Sequence, residues 1–360
     1  MSTVDPNAGP SGDTVYDGAA GEFVPPQEIA AARGESLLRV LGLQVEFRTR
    51  DGVAKVLNGV SYHVNAGETL AVLGESGSGK SVTAQTIMGI LDTPPAFVTA
   101  GSVTFKGEEL LTASAERRRK VRGEGIAMIF QDALSALNPV FTVGFQIAEQ
   151  LRLRRGMGRA EARAAAIDLL EQVKIPHAAG RFGDYPHQFS GGMRQRAMIA
   201  MSLALDPEVL IADEPTTALD VTVQAQIMDL LAEIQREREM GMVLITHDLG
   251  VVAEVADRIA VMYAGRIVES GPAGDIYRRP GHPYTVALLE SLPRLDLKGQ
   301  RLNTIKGLPP SLTDIPPGCP FHPRCRLAQD ICRQRVPEPV LIEADRSSAC
   351  HFTGELMDRV

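Results

Sequence analysis

Short apolar runs alternate with amphipathic stretches from Ser36 onward. Leu37-Leu38-Arg39-Val40 and Leu43-Gln44-Val45-Glu46-Phe47 read as strands, the second with in–out alternation. Val56 to Val64 reads as another, with Asp51-Gly52 as a turn before it. Glu68-Thr69-Leu70-Ala71-Val72-Leu73 is a short buried strand, and Ser81 to Ile90 reads as the first turns of a helix. Ala127 to Phe130, Pro207 to Asp213 and Met242 to Thr246 are further short apolar strands, each bounded by polar residues. From Val143 to about Val173 the text is helical, and Asp220 to Glu237 reads as an amphipathic helix.

This alternation predicts an α/β sheet core. The helical text between Gln131 and Ser190 predicts an inserted helical subdomain, about 132–190. Residues 1–34 are rich in Gly, Ala, Pro and acids without period, the mark of a disordered tail. After about Leu292 the text becomes Pro-, Cys- and Arg-rich. The boundaries expected are therefore a tail over 1–34, a main domain over 35–290 and a second small domain over 291–360.

Composition narrows the class. The chain has 360 residues and is 44% apolar, ample for a packed core. A formal net charge of −7 gives no reason to expect a nucleic-acid partner. No apolar run reaches the length of about 18 residues that would span a bilayer. The N-terminus lacks the charged and apolar regions of a secretory signal. The expectation is a cytoplasmic protein, where cysteines are more often metal ligands or bystanders than disulfides.

The chemistry begins at Gly74, Glu75, Ser76, Gly77, Ser78, Gly79, Lys80 and Ser81. They match G-x-x-x-x-G-K-[ST], with a strand before and a helix after. Glycines let successive backbone N–H groups turn inward on phosphate oxygens, and the helix start adds its positive dipole end. Lys80 can reach the β- and γ-phosphates, and the Ser81 hydroxyl can sit on Mg²⁺. A second element, Val209-Leu210-Ile211-Ala212-Asp213-Glu214, ends an apolar strand in two carboxylates. Asp213 suits the Mg²⁺ shell, and Glu214 could orient or deprotonate an attacking water. Without the loop upstream, two acids ending a strand at the surface would explain this pair as well.

Phe189-Ser190-Gly191-Gly192-Met193-Arg194-Gln195-Arg196 resembles the signature motif of ATP-binding cassette (ABC) ATPases, with Met193 where the commonest form has Gln. Gln131 sits like that family's Q-loop glutamine, Thr217-Ala218-Leu219-Asp220 looks like its D-loop, and His247 in Thr246-His247-Asp248 stands where the switch histidine does. The resemblance covers roughly Leu38 to Pro283. It implies a RecA-like core sheet plus helical subdomain that binds ATP with Mg²⁺. It also implies that Ser190, Gly191 and Gly192 close over the γ-phosphate held by an opposing cassette. Gln131 would join the Mg²⁺ site, His247 would contact the γ-phosphate, and Phe47 would stack on adenine. A core phenylalanine on an alternating strand explains Phe47 equally well. DNA-repair relatives are disfavoured because Lys80 and Ser190 are only 110 positions apart, leaving no room for a long coiled coil. Two-cassette translation factors are disfavoured because this chain carries one loop.

Leu137-Asn138-Pro139-Val140, Tyr185-Pro186-His187-Gln188, His282-Pro283-Tyr284-Thr285 and Lys306-Gly307-Leu308-Pro309-Pro310 resemble the oligopeptide/dipeptide import branch. That branch implies a second, related ATPase subunit, two transmembrane permease subunits and an extracytoplasmic binding protein. It implies a peripheral place on the cytoplasmic face of the plasma membrane and peptides as cargo, although relatives carry nickel, glutathione or sugars. Cys319, Cys325, Cys332 and Cys350 lie in the last 42 residues, with gaps of five, six and seventeen. Four thiolates suit Zn²⁺ or a [4Fe–4S] cluster, though the spacing has no C-x-x-C. The resemblance implies the [4Fe–4S] cluster, with unligated cysteines as a further alternative; His322 and His351 adjoin the cysteines and are spare ligands for a mixed site.

Overall fold

The computed structural model describes residues 22–23, 36–50, 52–217, 219–291, 305–343 and 345–358. The disordered tail expected over 1–34 falls outside them, apart from Glu22 and Phe23, which pair with Leu341 and Val340. Asp51 of the expected turn is outside them too.

The centre of the fold is a run of parallel strands, Arg258–Tyr263, Thr69–Leu73, Gly241–Thr246, Val209–Asp213 and Ile126–Ile129, hydrogen-bonded in that order. Parallel strands covered on both faces must be apolar throughout, so their text is continuous rather than alternating. Every residue of Thr69–Leu73, Ile126–Ile129, Val209–Asp213 and Gly241–Thr246 is buried. One face packs on an antiparallel sheet of Gly52–Val64, Leu38–Thr49, Ala96–Phe105 and Glu108–Glu109, through a core that includes Leu38, Val60, Leu70, Val72 and Ile211. The opposite face packs on helices, with Ile199, Leu210, Leu231 and Leu244 in one cluster. The two strands expected around Gly42 are one, Leu38–Thr49, whose pairing slips between Val40 and Leu43.

The helical text is two helices, Val143–Arg155 and Arg159–Gln172, because Gly156 closes the first in a left-handed cap. Thr142 caps the start of the first by accepting from the Phe145 N–H.

The C-terminal segment does more than follow the main domain. Its strand Arg346–Ser348 extends the main sheet by pairing onto Arg266–Pro272, and Val340–Glu343 pairs in turn onto Arg346–Ser348. Arg346 there donates to Glu269 at 3.1 Å, with both side chains fully buried. Glu269 also accepts from the backbone N–H groups of Gly281 and His282, at 2.7 and 3.0 Å. Burial pushes the Glu269 carboxyl up from its ordinary range. Among the described residues no helix is long and apolar enough to cross a membrane.

Candidate nucleotide-binding site

The loop from Gly74 to Gly79 leaves the buried Thr69–Leu73 strand and enters the helix Lys80–Met88. Two glycines are obligatory. A Cβ on Gly74 would stand 2.2 Å from the Met262 carbonyl oxygen, and one on Gly79, at φ 107°, would stand 2.7 Å from Leu57 Cδ2. Lys80 is buried and curls back, its Nζ donating to the carbonyls of Gly74 at 2.8 Å and Glu75 at 3.0 Å. Burial pulls the Lys80 ammonium below its ordinary range, while Glu214 and Asp213 act to raise it.

Ser81 Oγ donates to Asp213 Oδ1 at 3.1 Å, which joins the loop to the end of the Val209–Asp213 strand. Burial raises the Asp213 pKa, and the Ser81 hydrogen bond opposes that rise. A hydroxyl beside a desolvated carboxylate is a donor pair that a divalent cation suits.

Glu214 lies just past the strand at φ 46°, in the left-handed region. Its carboxylate accepts from Gln131 Nε2 at 2.7 Å and Thr217 Oγ1 at 2.9 Å, and His247 Nδ1 stands 3.6 Å from its other oxygen. Three elements far apart in sequence thus meet on one carboxylate. Beside them a cavity of about 390 Å³ is lined by Gly74, Glu75, His247, Leu249 and Leu288.

Not every expected residue joins this cluster. Ser190 is exposed and caps the helix Gly191–Leu203, accepting from the Met193 N–H at 3.3 Å. Gly192 packs so closely on Val223 that a Cβ would meet it at 2.7 Å. Among the described residues no hydrogen bond links Ser190, Gly191 or Gly192 to the loop of the same chain, and Ser190 and Gly191 are exposed. Asp220 caps the helix Val221–Arg238, and Ala218 lies outside the described residues. Phe47 is half-buried and packs against the core shared by the two sheets.

Sequence reasoning missed two contacts. Tyr284 Oη accepts from the Glu75 N–H at 2.9 Å, and Arg324 grips the Glu75 carboxylate with both Nη atoms, at 2.5 and 2.8 Å. Tyr284 sits in the His282–Thr285 segment singled out above, but for neither residue did spacing or residue type announce a partner in the loop.

The four cysteines meet as well. Cys319, Cys325, Cys332 and Cys350 line a cavity of about 20 Å³ together with His282, His322 and His351. Backbone N–H groups of Leu327 and Phe352 donate to the Cys325 and Cys350 sulfurs, each at 3.4 Å. Burial raises the thiol pKa of Cys350 to about 12 and of Cys319 to about 11. Among the described residues, however, no group of three or more His, Cys, Asp or Glu side chains is disposed to hold a metal ion.

Comparison with known proteins agrees with the geometry. The family model "ABC transporter" matches residues 57–217, and "Oligopeptide/dipeptide transporter, C-terminal region" matches 268–332. The dipeptide transport ATP-binding protein DppD of Bacillus subtilis is 52% identical over 303 residues, 84% of this chain and 90% of that protein. The oligopeptide transport ATP-binding protein OppD of Escherichia coli is 50% identical over 309 residues, 86% of this chain and 91% of that one. Among solved structures, the dimeric post-hydrolysis state of the ATP-binding cassette MJ0796 bound to ADP and Pi superposes with a TM-score of 0.59. It is 26% identical and covers 66% of this chain and 98% of that one.

Proposed function

We propose a function from the family to which this chain belongs, the ABC transporter ATPases in their oligopeptide/dipeptide branch: it is the ATP-hydrolysing subunit of a peptide importer. The observation that carries the ATPase reading is the single carboxylate of Glu214. It is held by Gln131 and Thr217, faced by His247, and stands one residue beyond the Asp213 that Ser81 touches.

The loop Gly74–Ser81 binds the phosphates of ATP, and Phe47 offers its half-buried ring to adenine. Ser81 and Asp213, with Gln131, are the residues that would hold Mg²⁺, which when bound neutralises charge on the phosphate oxygens. Glu214 takes a proton from, or orients, the attacking water. His247, two-thirds exposed at 67%, is free to meet the γ-phosphate and stabilise developing charge. Ser190, Gly191 and Gly192 complete the nucleotide site of an opposing cassette, so turnover needs a second, related ATPase subunit.

The finer assembly follows the same reading. Two permease subunits and an extracytoplasmic binding protein complete the importer, with this chain peripheral on the cytoplasmic face of the membrane. Peptides are the cargo; nickel, glutathione or a sugar is the alternative for the same machine. Reconstitution with its permeases, partner ATPase and binding protein in vesicles tests this. ATP-dependent uptake of labelled di- or oligopeptide is expected, lost on Lys80→Ala. ATP hydrolysis with no peptide uptake would refute the cargo assignment.

For the four cysteines the finer reading is a [4Fe–4S] cluster, with Zn²⁺ as the alternative. Four thiols line one void and two of them receive backbone N–H groups, which supports this reading, but as they stand no three of them are disposed to hold a metal ion, so either group would require the cysteines to rearrange around it. Oxygen-free purification should give a brown protein absorbing near ~400 nm, with iron and sulfide, as thiolate-bound clusters do. A colourless, iron-free preparation would overturn the cluster.

A further inference from the structure

The phosphate loop is gripped from outside the cassette. Arg324 lies 249 positions from Glu75, in the short turn His322–Arg324 of the C-terminal segment. Its guanidinium makes a two-pronged contact with the Glu75 carboxylate, and Nη1 also reaches Tyr263 Oη at 3.4 Å. Nε is fixed by the Lys306 carbonyl at 3.2 Å. The Arg324 side chain is only 4% exposed although its partner sits in a loop built to meet solvent-borne nucleotide.

The floor beneath it is equally ordered. Tyr263, Tyr284 and Phe321 pack as an aromatic triad with ring centroids 4.6, 5.2 and 5.3 Å apart, one ring each from the sheet, the helix Pro283–Glu290 and the C-terminal turn. Tyr284 then accepts the Glu75 N–H, so the same residue is held at both backbone and side chain. A fork fixed on every arm is an arrangement for placing a group, not a passing surface pair.

Glu75 is the one acid in the loop Gly74–Ser81. An uncompensated carboxylate there would oppose an incoming polyphosphate, because like charges at close range repel strongly where water is thin. We propose that Arg324 is a positioning residue for the phosphate loop: it neutralises and anchors Glu75, so the C-terminal segment sets how tightly the cassette holds ATP. This rests on the nucleotide-site reading of Gly74–Ser81. Arg324 touches no nucleotide itself; it acts through Glu75.

The test is ATP binding with Mg²⁺, by titration calorimetry on the full purified chain. Arg324→Gln should weaken ATP on the order of tenfold, less than truncating one partner of a charge pair in direct contact with the ligand, because Arg324 acts only through Glu75. Arg324→Gln combined with Glu75→Gln removes the stranded carboxylate and should return affinity to within about threefold of the parent. A purely structural role would leave the double variant as weak as the single one, and that result overturns the proposal, as does unchanged affinity in Arg324→Gln. Should Arg324→Gln fail to fold, Arg324→Lys keeps the charge but loses the fork, and a loss of about threefold is expected; parental affinity in Arg324→Lys overturns the proposal. Lys80→Ala separates the two levels of the argument. If it abolishes binding while the Arg324 variants bind normally, only the Arg324 role fails; if it too binds normally, the nucleotide-site reading itself fails.

Discussion

Replacing Glu214 with Gln removes one negative charge and almost no volume. The carboxamide oxygen can take the place of the oxygen that accepts from Gln131 at 2.7 Å and Thr217 at 2.9 Å. The new NH₂ then faces His247 Nδ1, 3.6 Å from the oxygen it replaces, which a neutral imidazole tolerates as acceptor. Weakening two charge-assisted hydrogen bonds to neutral ones costs stability by roughly 1 kcal/mol. Loss of a general base lowers turnover about 10²–10⁴-fold. At about 1.4 kcal/mol per tenfold, that is roughly 3–5 kcal/mol of barrier, well above the stability cost. The variant should therefore fold, bind ATP as the parent does, and hydrolyse it slowly. Steady-state phosphate release by the assembled transporter, with ATP affinity measured in parallel, reads both. Turnover within about tenfold of the parent, with binding intact, would refute the assignment of Glu214 as base or water-orienting group.

Three further outcomes follow from the same contacts. Lys80→Ala removes a buried ammonium that bridges the Gly74 and Glu75 carbonyls, and ATP affinity should fall by about a hundredfold or more, with unchanged affinity contradicting the assignment. Arg346→Met leaves Glu269 buried and without its cation, which should cost roughly 3–5 kcal/mol; thermal unfolding should fall by about 10 °C, and an unshifted midpoint would show that the pair does not hold the C-terminal strand to the sheet. Burial, with Arg258 beside it, holds the His63 imidazole down at about 4. The unfolded chain takes up a proton below about pH 6.5 that the folded one refuses, so this group's contribution is full above that value and is lost as pH falls toward 4, at up to ~1.4 kcal/mol per unit. His63→Gln should flatten that part of the denaturation profile, and an identical slope would contradict it.

What could be read from sequence was set by range. The buried parallel strands announce themselves locally, because a strand covered on both faces has no polar side to show, as Leu70-Ala71-Val72-Leu73 and Val209-Leu210-Ile211-Ala212 do. The loop is legible because its backbone shape forces glycine at Gly74 and Gly79. The break at Gly156 is a single cap inside otherwise helical text, so Val143 to Val173 reads as one stretch. The strand Arg346–Ser348 has no apolar alternation, and its place in the sheet depends on Arg346 meeting Glu269 across 77 positions. The Arg324–Glu75 grip and the gathering of four cysteines around one void are likewise tertiary facts that no local pattern encodes.

The central claim is that one triphosphate is held between this chain's glycine loop and the serine–glycine helix start of an opposing cassette, and reciprocally. The most direct measurement is a structure of the Glu214→Gln variant with its partner ATPase, ATP and Mg²⁺. The account predicts Ser190 Oγ within hydrogen-bond reach of a γ-phosphate bound by the partner. Nucleotide bound at Lys80 and Ser81 with Ser190 left in solvent, away from any phosphate, would contradict it.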